Sequence, residues 1–152
     1  MTQETMNLTP EQSRRRARMA VLAKAAPERL HELLPELPAH HMIRGPEIGS
    51  MMVQGRTGGT GAPFHLGEMT VTRATVALEC GTLGHALVQG RDTKAALRAA
   101  LIDAMAETAA GASQTAALLE LLSREAESRR TARAGRAQAT RVEFFTLQRG
   151  DG

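Results

Sequence analysis

GRTGGTGAPFHLGEMTVTR, running from Gly55 to Arg73, is the stretch on which the fold turns. Four glycines (Gly55, Gly58, Gly59, Gly61) and Pro63 stand on the approach to a run of strand-forming residues, bracketed by Arg56, Glu68 and Arg73. Glycine serves backbone that must take a positive φ or let another group come close, so the cluster reads as a shaped loop feeding a strand. A solvated spacer would need no phenylalanine, histidine or strand alternation attached to it.

On either side of the loop the pattern has a strand period. Residues 50–56, short and apolar with Met51, Met52 and Val53 between glycines, predict one strand, and residues 68–79, rich in Thr and Val, predict a second. In the second, the apolar set shifts from odd positions (Met69, Val71) to even ones (Ala74, Val76, Leu78). A strict two-residue period forbids this without a bulge or a change of buried face near Thr72 and Arg73, which could re-aim Arg73. Cys80-Gly81 supplies a tight turn into residues 82–89, making an antiparallel hairpin.

Helical signals flank this group. Thr9-Pro10-Glu11-Gln12 has the form of a capped start, and residues 28–34 form a short helix closed by Pro35. Residues 35–41 make an irregular connector. Asp92 or Thr93 caps a helix of roughly 18 residues with Leu97, Leu101, Met105 and Thr108 at four-residue spacing. Gly111 should break it, Ser113 should recap, and Leu118, Leu121, Leu122 and Glu125 should face one side of a further helix. From Arg124 to Arg141 that helix becomes a leucine-free charge run, either a solvated face or a docking surface. Val142, Phe144, Phe145 and Leu147 then predict a last strand.

The sum is a single α+β domain over residues 1–152, with its core at about 13–149 and poor order expected for 1–12. The sheet is small and mainly antiparallel, with a central hairpin and a C-terminal strand. Helices lie at the N-terminus and between the hairpin and the last strand.

Composition narrows the function classes. Trp and Tyr are absent and Phe occurs three times, so Leu, Met, Val and many alanines must fill the core, and alanine-rich faces either pack close or await a partner. The net charge is +3, and of the basic residues only Lys24 and Lys94 are lysine. Arginine suits bidentate contacts to carboxylate or phosphate, although a GC-rich genome would enrich Arg and Ala together. Missing stacking aromatics argue against single-stranded nucleic acid. The single Cys80 fits a reducing compartment, no apolar run approaches the length of a membrane span, and the polar start is no signal peptide, so a cytoplasmic location is expected.

The motifs exclude several chemistries. A P-loop needs lysine and Ser or Thr opening a helix after the glycines, whereas Gly58-Gly59-Thr60-Gly61 leads to Ala62-Pro63-Phe64 and a strand. Loop amides could still cradle an anion beside Arg56 or Arg73. His31-Glu32-Leu33-Leu34-Pro35 lacks the second histidine of a zinc helix; His40, His41, His65 and His85 are scattered, with His65 and Glu68 the one pairing to watch. Glu79 beside Cys80 should raise the thiol pKa and oppose nucleophilic use. Neither catalytic residues nor a metal site are expected. The candidates for phosphate binding or a partner interface are Arg56, Thr57, Gly58, Gly59, Thr60, Gly61, Glu68 and Arg73; Arg44, Glu47, Arg91 and Asp92 are further interface candidates.

Beyond these residue-level readings, GRTGGTGAPFHLGEMTVTRA, GTLGHALVQGRD, ALRAALIDAMAE and the closing RVEFFTLQRGD together resemble the G subunit of the bacterial carbon-phosphorus lyase core complex, from about Arg14 to Asp151. Arg18 departs from the pattern, since members commonly carry an aromatic residue there. The resemblance implies an accessory subunit of a transferase in phosphonate utilisation, which joins the ribose triphosphate moiety of ATP to methylphosphonate with release of adenine. It implies H, I and J subunits as partners in a two-fold hetero-oligomer. It also implies no cofactor bound by this chain itself, ATP and methylphosphonate being substrates of the whole complex. The alternative is a stand-alone anion- or nucleic-acid-binding module using its arginines.

Overall fold

The computed structural model describes residues 7–148, with side chains through residue 139. Helix α1 (Pro10–Ala23) opens on the expected capping box: Gln12 N–H donates to Thr9 Oγ1 at 3.2 Å, and Thr9 N–H to Gln12 Oε1 at 2.9 Å. Each bond satisfies an amide that the first helical turn leaves unpaired. Helix α2 (Pro27–Leu33) follows with proline at its first position.

Strands β1 (His40–Arg56), β2 (Pro63–Leu78) and β3 (Leu83–Gln89) form an antiparallel sheet in that order. The β2–β3 hairpin closes as expected, with Gly81 at φ 86° in the turn. β1 is ten residues longer than residues 50–56 suggested. Its first half hides from a period-two reading because it is bulged: Met42 pairs with Val76, Arg44 with Thr75 and Glu47 with Arg73, so β1 inserts an extra residue at each of two successive steps. Pro46, which cannot donate to a ladder, sits inside the second bulge. The irregularity expected near Arg73 therefore lies opposite it on β1, while β2 keeps unbroken register with β3 from Val71 to Ala77.

Helix α3 (Thr93–Ala106) lies against β2 and β3 and is the centre of the core. Ala96, Ala99, Ala100, Leu101, Ile102 and Ala104 have no exposure. Alanine is used here for close approach: a Cβ on Gly84 of β3 would stand 2.0 Å from the carbonyl oxygen of Ala100 and 2.7 Å from Ala104 Cβ. Leu22 of α1, Leu30 of α2 and Leu122 complete the cluster with Val76.

Helix α4 (Ala109–Gln148) corrects two expectations. The break after α3 falls at Glu107–Thr108, and Thr108, not Ser113, takes the capping role: its Oγ1 accepts from Gly111 N–H at 3.0 Å. Gly111 is no breaker but a contact point, since a Cβ there would meet Met105 O at 2.5 Å. The strand expected over residues 141–148 is also absent, because that backbone continues the helix. No Gly or Pro falls between Gly135 and Gly150 to stop it, and a helix once nucleated propagates through residues of only modest propensity. Within the charge run, residues 127–139 are exposed, which a solvated face and a docking surface both require.

A candidate docking arm

β3 covers β2 only from Val71 to Ala77, while β1 and β2 stay paired to Arg56 and Pro63. Residues 49–56 and 63–70 are thus a two-stranded arm standing off the body, about 25 Å long at the rise of an antiparallel strand. Among the described residues both of its strands have an open edge beyond Thr70, whose carbonyl accepts from Gly90 N–H at 2.9 Å. Its surface is apolar where a solvated hairpin would be polar: Leu66 is 65% exposed and Met52 53%, and Met51 and Phe64 are also exposed. Ile43 and Ile48 extend the apolar surface towards the body, at 59% and 49%. An isolated two-stranded hairpin is marginal in water, and a long apolar edge is a template for pairing with another chain.

The tip is shaped by its glycines. Gly58 and Gly59 take φ of 63° and 84°, and a Cβ on Gly61 would collide with Thr57 O at 2.5 Å. The N–H groups of Thr60 and Gly61 both turn inward onto Thr57 O, and Arg56 Nη1 lies 3.4 Å from Gly61 O. These groups close the loop upon itself instead of presenting a row of amides outward.

At the base of the arm three of the candidate residues converge. Glu47 Oε2 accepts from Arg44 Nε at 2.9 Å and from Arg73 Nε at 3.2 Å. The bond from Arg44, ahead of that from Arg73, holds the Glu47 carboxyl below its ordinary pKa. The β1 bulge between Arg44 and Glu47 makes this possible: it sets these residues, three apart in sequence, opposite Thr75 and Arg73, two apart on β2, so that both fall on the face of Arg73. Beside the cluster is a cleft of about 220 Å³ lined by Ile48, Met51, Val71 and Leu87 as well as Glu47 and Arg73. Glu68 lies midway along the arm, opposite Met52, and Arg56 lies at the tip, opposite Pro63, so neither joins the cluster. No hydrogen bond or ion pair joins His65 to Glu68 among the described residues.

Asp92 and Arg91 sit in the turn that leads into α3. Asp92 Oδ1 accepts from Ala95 N–H at 2.8 Å as the N-cap, and Oδ2 is 3.4 Å from His31 Nε2. The Ala95 amide first, and the His31 charge after it, lower the Asp92 pKa. Cys80 reverses an expectation: its thiol pKa is lowered, not raised, because Thr82 hydrogen-bonds the sulfur, with Sγ 3.2 Å from Thr82 Oγ1. Among the described residues no group of three or more His, Cys, Asp or Glu is placed to hold a metal ion, and no helix is long and apolar enough to cross a membrane.

One cluster escaped the sequence reading. Asp103, fully buried in α3, accepts from Arg15 Nη2 at 2.7 Å, from Arg18 Nε at 2.9 Å and from the His85 amide at 3.0 Å. Arg18 also bonds Glu107. The available signal was that Asp103 is the sole charged residue between Arg98 and Glu107 in an otherwise apolar stretch. Arg18, where an aromatic residue was expected, is thereby placed as an inward-facing ion-pair partner.

Residues 13–150 match the family model described as phosphonate metabolism protein PhnG. The chain is 39% identical over 142 residues to the alpha-D-ribose 1-methylphosphonate 5-triphosphate synthase subunit PhnG of Rhizobium meliloti (strain 1021), an alignment covering 91% of each chain. With that match over nearly its whole length, the chain belongs to the PhnG family of phosphonate metabolism proteins.

Proposed function

We propose that this chain is an accessory subunit of the complex that transfers the ribose triphosphate moiety of ATP to methylphosphonate with release of adenine. Its contribution is assembly: the β1–β2 arm docks on the H, I and J subunits of a two-fold hetero-oligomer, and the Arg44–Glu47–Arg73 cluster fixes the arm's base. The observation that carries this reading is the arm itself, with Met52, Phe64 and Leu66 exposed among the described residues on a hairpin that runs beyond β3. Burying such side chains against a partner is worth roughly 1.5–3 kcal/mol each, enough for a few anchors to dominate an interface. A relative named as a subunit of a synthase supports the same reading.

Co-expression with the partner subunits tests it. Met52→Glu/Leu66→Glu should lose co-elution while the isolated variant keeps the helical circular dichroism of the parent. Co-elution at parental yield would remove the arm from the interface. Arg73→Ala separates a second role: lost assembly assigns Arg73 to docking, whereas intact assembly with lost transferase activity assigns it to substrate phosphate.

A further inference from the structure

α4 places Ala126, Arg129, Arg130 and Arg133 at the three- and four-residue spacings that align side chains on one helix face. With Lys24 at the end of α1 and Gln89 at the end of β3, that face lines a cleft of about 430 Å³. Four cations meet there. Arg129 Nη2 donates to the main-chain oxygen of Lys24 at 3.3 Å, which holds α4 against the end of α1. Arg130 Nη1 is 3.4 Å from Glu127. Lys24 and Arg133 have no carboxylate partner among the described residues. Of the other acids on α4, Glu125 pairs with Arg29 at 2.7 Å and Glu120 with Arg124 at 2.5 Å.

This is not what a merely solvated helix requires. Like charges at i,i+4, as Arg129 and Arg133 are, destabilise a helix, and adding Lys24 from another element compounds the repulsion. An anion in the cleft removes that cost. Guanidinium forks match phosphate oxygens two at a time, while an ammonium adds a point charge.

We propose that this cleft binds an oligophosphate anion, held by Arg129, Arg133 and Lys24, with Arg130 at its rim. Arg129 and Arg133 stand one helical turn apart, about 5–6 Å between Cβ atoms, which suits the spread charge of linked phosphates better than a single phosphate ion. Nucleic acid fits less well, because Trp and Tyr are missing from the chain and bases would find no stacking platform. The site lies on α1, β3 and α4, outside the arm, and does not depend on how the arm is used.

Calorimetric titration of the full-length chain with tripolyphosphate tests the proposal, with inorganic phosphate and a single-stranded oligonucleotide as parallel ligands. Tripolyphosphate should bind at one site, more tightly than inorganic phosphate. Arg129→Ala/Arg133→Ala should weaken it about tenfold or more, the loss expected when charge-assisted bonds are deleted. Arg133→Gln, a single exposed change that leaves the Arg129 contact to Lys24 intact, should weaken it in the same direction, and Arg124→Ala should leave it unchanged. Absence of binding, an equal loss in Arg124→Ala, or tighter binding to the oligonucleotide that grows with its length would overturn the proposal.

Discussion

Arg18 reaches Asp103 from the neighbouring helix, its Nε donating to Oδ1 at 2.9 Å, and the carboxylate it meets has no solvent exposure. A buried carboxylate is tolerable only when paired and hydrogen-bonded, and Asp103 is both, through Arg15, Arg18 and the His85 amide. It thereby ties α1 to α3 and to β3. Asp103→Ala should lower the unfolding free energy by about 3 kcal/mol or more, because two guanidiniums and an amide lose their partner at once. Urea denaturation measures this. A loss under about 1 kcal/mol, the scale of an exposed pair, would mean that water replaces the carboxylate.

Gly84 and Ala100 set a second limit. The Cβ of an alanine at 84 would fall 2.0 Å from a backbone oxygen of α3, and no rotamer relieves a backbone collision. Gly84→Ala should cost about 3 kcal/mol or prevent folding, the upper end of overpacking. Gly49→Ala, with nothing within 4 Å of the new atom and no positive φ, should be neutral or slightly stabilising in the isolated chain. Equal thermal midpoints for the two variants would contradict the packing of β3 on α3.

Asp92 gives a pH dependence with a definite sign. Its folded pKa is lowered, so its stabilisation is fully present above the ordinary carboxylate range and is lost as the pH falls through the folded value. Asp92→Ala should cost about 0.5–1 kcal/mol near pH 7, the low end for a part-exposed N-cap, and the gap to the parent should close below about pH 4. Unfolding curves from neutral to acid pH would show it; a gap that widens in acid would contradict the cap.

What could be read in advance follows the range of the forces. The Thr9–Gln12 box, the turn at Gly81 and the Asp92 cap each depend on residues within three or four positions, and all were legible. β1 was legible only over residues 50–56, since Gly45, Pro46 and Gly49 interrupt the alternation ahead of it and only pairing with β2 shows them as bulges and ladder. Residues 141–148 carry strand-forming side chains, yet the helix before them sets their backbone. Asp103 meets Arg15 from 88 positions away, which no local pattern carries. The arm sits between these cases: its glycines and strands were visible, whereas its standing clear of β3 depends on β3 ending at Gln89. The cluster at its base likewise needed the β1 bulge, which sets Arg44 opposite Thr75 and Glu47 opposite Arg73 on one face.

Docking of the arm is tested most directly by hydrogen exchange, residue by residue, on the isolated chain and on the assembled complex. In the isolated chain the amides of residues 49–56 and 63–70 should exchange rapidly, as expected of an uncovered two-stranded hairpin, while those of α3 stay protected. In the complex the arm amides should become strongly protected. Unchanged exchange of the arm on assembly, with new protection confined to the helices, would contradict the account.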